Sequence, residues 1–92
     1  MINSFKHKGL RRLFEDDDGS GVEGKMTARL KRMLADLDVA GDLKGLRVPT
    51  YKLHQLSGDR AGVWSMRVAQ NWRMTFRFKD GDAFDVDLED YH

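Results

Sequence analysis

The chain of 92 residues contains no cysteine, a single proline and no long apolar run. The absence of cysteine excludes a disulfide framework, a thiol nucleophile and a thiolate metal site, and agrees with a reducing compartment. Without a transmembrane stretch or the apolar core of a signal peptide, we expect a cytoplasmic protein that does not associate with a membrane. A hydrophobic content of 40% in this length predicts one domain, residues 1–92, with a single core.

The chain also has little net charge. Its formal charge of +1 gives no argument for a nucleic-acid partner. The distribution is uneven, however, because residues 44–77 carry an excess of +6 and residues 78–92 an excess of −5. Local asymmetry of this kind creates polyanion-binding surfaces even in nearly neutral proteins, so a basic site remains open.

Two amphipathic helices are predicted in the N-terminal half of the chain. Leu10, Leu13 and Phe14 recur at helical spacing, and from residue 23 to about residue 39 apolar side chains recur at i, i+3, i+4 and i+7. Gly41 is the expected C-cap of the second helix. We therefore expect the second helix to be the main core-facing helix.

The acidic loop at residues 15–21 superficially suggests calcium. An EF-hand with its glycine at Gly19 would need an acid in place of Phe14 and a glutamate in place of Lys25, and both are missing. The three histidines show no zinc-ligand spacing, and no phosphate-binding or dinucleotide-binding glycine motif is present. We therefore predict no metal and no cofactor.

After Pro49 the period of hydrophobicity changes to two, which predicts strands with one buried face. The separating turns are too short for crossover helices, so the last three strands should form an antiparallel meander beside a short N-terminal edge strand at residues 2–5. The alternating segments are residues 51–54, 64–68, 72–78 and 84–88. The expected fold is α+β, with two N-terminal helices packed on one face of an antiparallel β-sheet.

Alternation also divides the side chains of these strands between two faces. We expect the apolar residues, Phe84 included, to face the helices. The opposite face should then carry a cationic set with two acids beside it: Lys52, His54, Arg67, Arg73 and Arg77, with Asp85 and Asp87.

The last three residues, Asp90, Tyr91 and His92, can all exchange protons, and His54 adds a second imidazole. Cleavage of RNA by its own 2′-hydroxyl needs a base, an acid and a cation over the phosphate, and this chain offers candidates for all three. Structural roles are open as well. Asp90 can pair with a basic residue, Tyr91 can anchor the core, and the arginines can pair with aspartates across strands.

Five segments in this order and spacing give the chain its resemblance to the HigB-type toxins of the RelE/ParE superfamily, the ribosome-dependent mRNA interferases of bacterial toxin–antitoxin systems. They are INSFKHKGL at residues 2–10, YKLHQL at 51–56, GDR at 58–60, NWRMTF at 71–76 and DYH at 90–92. The resemblance covers nearly the whole length. It departs at Ser57, where relatives often carry a lysine.

The resemblance implies a RelE-like fold with a curved sheet, whose concave face enters the ribosomal A site and cleaves mRNA by 2′-hydroxyl attack without a metal. It implies catalytic roles for His54, Asp90, Tyr91 and His92, with Arg73 beside the scissile phosphate. Further basic residues are expected to contact RNA or the ribosome: Lys52, Arg60, Arg67, Arg77, Lys6, Lys8, Arg11 and Arg12.

The resemblance also implies partners. These are the 70S ribosome with its mRNA, and a HigA-type helix-turn-helix antitoxin that neutralises the toxin and represses the shared operon. Operator DNA would be contacted only through that antitoxin, which we expect on the charged faces of the two helices. Two alternatives stay open, namely a DNA gyrase-inhibiting toxin of the same superfold and a catalytically weak RNA-binding member.

Overall fold

The computed structural model describes residues 1–90 and contains two α-helices and a four-stranded antiparallel sheet. Helices α1 and α2 span Lys8–Asp16 and Thr27–Val39. The strands, in their order across the sheet, are β1 His54–Gln55, β2 Val63–Ala69, β3 Trp72–Lys79 and β4 Asp82–Asp90. The predicted α+β class, the two N-terminal helices and the meander are confirmed.

Helix α2 ends at Val39 as expected but begins at Thr27, four residues later than predicted, because Gly24–Met26 forms a separate 3₁₀ turn. The side chain of His7 caps α1 by accepting a hydrogen bond from the backbone N–H of Leu10, and α1 ends at Asp17 in a left-handed conformation. After α2 the chain continues from Ala40 in an extended conformation, so the helix needs no left-handed cap residue. The prediction that Gly41 caps this helix was therefore wrong.

The helices cover one face of the sheet, and we call the other face the open face. Helix residues of the core cluster include Leu10, Leu13, Leu30, Met33, Leu34 and Leu37. Sheet residues of the same cluster include Met66, Met74, Phe76 and Val86. Each such side chain contributes about 1.5–3 kcal/mol by leaving water, which fixes the layers relative to each other. Across residues 1–90, no helix is long and apolar enough to cross a membrane.

The segment before β1 differs from its prediction as a strand. Pro49–Tyr51 forms a 3₁₀ turn, Lys52 follows with a positive φ of 48°, and the strand proper begins only at His54. The physical reason is Tyr51, whose buried ring lies 5.3 Å from the Arg29 guanidinium and whose hydroxyl donates to Asp36 over 2.6 Å. These contacts attach Tyr51 to α2 and keep it out of the sheet.

The N-terminal residues lie beside β4 at the edge of the sheet, but their pairing is limited to two isolated bridges. Ile2 pairs with Ala83 and Phe5 pairs with Val86, both in parallel orientation. The predicted edge strand is therefore an extended segment, not a continuous strand.

Strand β4 contains a bulge that the sequence pattern did not reveal. Thr75 lies opposite Asp87 while Arg77 lies opposite Phe84, so β4 has one more residue than β3 in this interval. Asp85 takes a positive φ of 55° there. The bulge shifts Phe84 to the open face beside Arg77, because residues directly opposite each other share a face. The prediction that Phe84 faces the helices was wrong for this reason.

Candidate active site

The register of the strands arranges the open face in rows of residues that lie side by side. Adjacent rows are about 7 Å apart, and neighbouring strands about 4.8 Å apart. The rows in order along the sheet are Val63, Arg77, Phe84; then His54, Ser65, Thr75, Asp87; then Arg67, Arg73, Glu89. The structure therefore brings His54, Arg67, Arg73 and Arg77 onto one face, as predicted.

His54 lies at the free edge of this face on the two-residue strand β1. Its side chain is exposed, and its Nδ1 lies 3.1 Å from the carbonyl oxygen of Lys52. With the proton on Nδ1, the imidazole donates to that carbonyl, and Nε2 is left to accept a proton from a substrate. Lys52 has a left-handed backbone conformation that directs its carbonyl oxygen toward His54, so the turn before β1 orients the imidazole ring.

Glu89 is the centre of the tightest polar contacts on the open face. The Arg60 guanidinium donates to both of its carboxylate oxygens at 2.7 Å, and the Thr75 hydroxyl donates to Oε2. The hydrogen bonds from Arg60 hold the pKa of Glu89 down at about 2, although partial burial works in the opposite direction. The same ion pair raises the pKa of Arg60. Glu89 therefore stays ionised and links the loop after β1 to the end of β4.

The pairing with Glu89 bears on the predicted role of Arg60, which we expected to contact RNA. Its guanidinium is in a bidentate pair with Glu89, so a phosphate would have to compete with a carboxylate for it. Glu89 was not among the predicted site residues. Its place two residues after Asp87 on an alternating strand was the signal that could have placed it on the open face.

Arg73 and Asp90, two predicted catalytic residues, lie on opposite faces of the sheet near the end of β4. Arg73 Nη1 donates to the carbonyl oxygens of Ala69 and Trp72 at 3.2 Å each, which fixes its side chain over the β2–β3 turn. Asp90 is exposed and lies opposite Trp72, so alternation places it on the other side of the sheet from Glu89. The predicted catalytic residues Tyr91 and His92 lie outside the described residues.

Two arginines of the open face carry charges that are not neutralised by a direct partner. Within residues 1–90, neither Arg67 nor Arg77 forms an ion pair, so the alternative that they pair with aspartates across strands does not hold for these two residues. A cavity of about 110 Å³ lies next to Arg77 and also has basic Lys6 and Arg60 in its wall. Thr75, Val63 and Phe76 line it as well, together with two acids, Asp59 and Asp85. This cavity gathers three of the predicted RNA-contacting side chains.

The remaining predicted basic residues lie away from this cavity. Lys8, Arg11 and Arg12 are exposed on α1, in the helix layer. The Arg12 guanidinium lies against the acidic loop, because a Cβ added at Gly21 would be 2.6 Å from its Nη2. Lys52 is exposed in the turn before β1. In the part of the chain that the structure describes, no three His, Asp or Glu side chains converge to hold a metal ion.

Comparison with known proteins identifies the family of the chain. The family model of HigB-like toxins, described as the RelE-like toxin of type II toxin–antitoxin system HigB, matches residues 3–92. The Endoribonuclease HigB of Proteus vulgaris is 49% identical over 92 residues, which is 100% of both chains. Toxin HigB-1 of Vibrio cholerae is 32% identical over 91 residues, covering 97% of this chain and 96% of its own.

Among solved structures, a YoeB/ParE toxin from Agrobacterium tumefaciens gives a TM-score of 0.42 at 26% identity, over 71% of this chain and 76% of its own. That structural likeness is too weak to carry an argument. The family model and the two full-length relatives are sufficient to assign the family. The chain belongs to the RelE-like toxins of type II toxin–antitoxin systems and, within that class, to the HigB-like toxin family.

Proposed function

We propose that the protein is an endoribonuclease toxin that cleaves mRNA in the ribosomal A site and thereby inhibits translation. One observation carries this proposal: the open face combines an exposed imidazole, His54, with the row that holds Arg67 and Arg73. The family to which the chain belongs, and the relative named Endoribonuclease HigB, support the same reaction class. The chain would act as one RelE-like domain, residues 1–92, in the cytoplasm.

The proposed reaction is attack of a 2′-hydroxyl on the adjacent phosphate, with release of the 5′-oxygen and a 2′,3′-cyclic phosphate as first product. The attack forms an O2′–P bond and breaks the P–O5′ bond, so it needs no metal-bound water. His54 Nε2 is suited to transfer one of the two protons, and general acid–base catalysis of this kind contributes about 10²- to 10⁴-fold. Arg73 would stabilise the charge on the pentacoordinate phosphate, with Tyr91 and His92 supplying the remaining groups. Asp90 lies on the other face of the sheet from Glu89, so we assign it a supporting role at the end of β4 rather than contact with the phosphate.

The ribosome would supply alignment that the open face cannot supply alone. In-line attack requires the 2′-hydroxyl, the phosphorus and the 5′-oxygen to be nearly collinear, and a flexible RNA strand rarely adopts that geometry. We expect mRNA held in the A site to be cut much faster than the same RNA in solution, because holding the strand removes that entropic barrier.

Mapping of 5′ ends on a defined mRNA tests the proposal. Wild-type protein should cut at the A-site codon only when programmed ribosomes are present, and His54→Ala should cut at least about 100-fold more slowly. An intact mRNA in every lane, while the wild-type protein still arrests growth, would exclude the proposal and favour the gyrase-inhibiting alternative. Equal cutting by His54→Ala would instead remove His54 from the reaction.

We also propose that a HigA-type helix-turn-helix antitoxin neutralises this protein, since the family operates in toxin–antitoxin pairs. The outer side of the helices offers it a shallow groove of about 330 Å³ next to Phe14, Lys31 and Leu34. Hydrogen exchange on the complex tests this location. Protection of α1 and α2 supports it, and protection confined to the open face would contradict it.

A further inference from the structure

Phe84 is an aromatic residue on the open face that no part of the proposed reaction uses. The bulge at Asp85 places it there, directly opposite Arg77. The bulge is firmly held, because the Asp85 N–H donates to Ser4 Oγ at 2.8 Å and the Val86 N–H donates to the Ser4 carbonyl at 3.1 Å. Bulges beside functional sites often redirect a side chain. Here the redirected side chain is a phenyl ring that regular alternation would have directed toward the helices.

The surroundings of Phe84 are those of a surface site. Phe84 is half-buried and, among residues 1–90, does not belong to the core cluster or to the side chains packed against it. It lines a shallow depression of about 480 Å³ together with Gly62, Arg77, Phe78, Lys79 and Asp85. Arg77 lies close against Gly62, since a Cβ there would be 3.2 Å from Nη1. The depression therefore joins a phenyl ring to two cations.

We propose that Phe84 is a base-stacking platform for single-stranded mRNA, with Arg77 and Lys79 holding the flanking phosphates. The proposal rests on the proposed function, because it assumes that mRNA lies along the open face. An aromatic ring set among cations suits single-stranded RNA, whose bases all offer a π-face and whose backbone is anionic. Phe84 lies two rows from Arg73, about 13 Å along the sheet, so the stacked base is not part of the scissile step.

Base stacking on Phe84 would increase the affinity of the enzyme for mRNA with little selectivity for its sequence. Stacking on an aromatic side chain tolerates every base, whereas hydrogen-bonded readout does not. The platform would therefore act on affinity for the message. We expect substitutions at Phe84 to raise KM for ribosome-bound mRNA about tenfold and to leave kcat within about twofold.

Cross-linking and binding test this site. The probe is a short single-stranded 2′-O-methyl RNA, which cannot be cleaved, carrying 5-bromouridine at each position in turn. It is used with the free protein and, as the message, on programmed ribosomes. We expect one position to cross-link to the β4 peptide containing Phe84. Phe84→Leu should bind about tenfold more weakly, and Phe84→Trp should bind at least as well as wild type.

Phe14→Leu is the matched control, since Phe14 lies on α1, away from the depression, and packs against the Phe5 ring with the ring centroids 5.9 Å apart. It should lower Tm and leave RNA affinity unchanged. Wild-type affinity in Phe84→Leu, cross-links confined to other peptides, or no RNA binding on or off the ribosome would each overturn the stacking site. Cleavage of unmodified mRNA is scored separately, so its loss with the Phe84 cross-link retained contradicts only the proposed reaction.

Discussion

At the residue scale, Glu89 is the side chain on which the open face depends most. It receives two hydrogen bonds from Arg60 and one from Thr75, and thereby connects the loop after His54 to the strand that ends in Asp90. Removing the carboxylate charge would leave the Arg60 guanidinium without its partner and the Thr75 hydroxyl with a weaker acceptor. Glu89 therefore fixes the loop that follows His54 against strands β3 and β4.

We predict that Glu89→Gln lowers the free energy of unfolding at pH 7 by about 1–2 kcal/mol, a figure reduced for the partial exposure of the pair. A pKa of about 2 in the folded state lies below the ordinary glutamate pKa of 4.5. The folded state thus gains stability above pH 4.5 and loses it as pH falls toward 2. Urea unfolding from pH 2 to 7 measures this.

The wild-type and Glu89→Gln curves should converge near pH 2. Glu15→Gln, at an exposed carboxylate of α1, is the control and should leave the pH dependence as in wild type. A Glu89→Gln curve that stays parallel to wild type down to pH 2 would show that the pair does not stabilise the fold.

At the element scale, β4 shows how far alternation predicts structure. It placed Asp87 on the open face correctly, and the two helices and the strand meander followed from periodicity and turn residues alone. The prediction from alternation was wrong for Phe84, because a one-residue bulge moves every residue beyond it to the opposite face of the sheet. The bulge depends on a contact with Ser4 from the other end of the chain, which no local pattern contains.

Substitutions at Asp85 test the conformation of the bulge. The positive φ of 55° suits glycine and disfavours a β-branched residue. Asp85→Val should therefore lower the free energy of unfolding by about 1–2 kcal/mol, and Asp85→Gly should leave it unchanged or raise it slightly. Thermal unfolding of the two variants measures the difference. Equal effects of valine and glycine would contradict the left-handed assignment.

The turn before β1 is the second element that the sequence did not predict. Arg29 of α2 donates to the carbonyl oxygens of Thr50 and Arg67 from Nη2, and its Nε is buried without a partner among the described residues. Tyr51 adds the contact with Asp36. These contacts tie the base of β1 to the helix layer, and they join residues that lie far apart in the sequence.

Tyr51→Phe should remove the bond to Asp36 and lower stability by about 1 kcal/mol. Burial, together with that bond, raises the pKa of Tyr51 to about 12. The phenol thus stabilises the fold below pH 10 and loses this effect as pH rises from 10 toward 12. In a 295 nm titration, wild type should show a component near pH 12 that Tyr51→Phe lacks. A Tyr51 component at pH 10 would contradict the buried contact.

At the scale of the whole molecule, one face of the sheet is covered by the helices, and the other, the open face, carries the proposed site residues His54, Arg67 and Arg73. The basic excess of residues 44–77 predicted a polyanion site, and the register collects three of those arginines on the open face. The ion pair between Glu89 and Arg60 could not be predicted from the sequence, because it depends on how the loop after β1 folds over the sheet.

The central claim is that mRNA lies on the open face, and a charge reversal on each face tests it directly. Arg67→Glu with Arg77→Glu changes the open face, whereas Arg32→Glu with Lys44→Glu makes the same change in net charge at exposed residues elsewhere. The measurement is the single-turnover rate of A-site cleavage on programmed ribosomes. We predict a loss of about 100-fold or more for the first pair and less than about threefold for the second. Equal losses, or a loss from the second pair alone, would contradict the account.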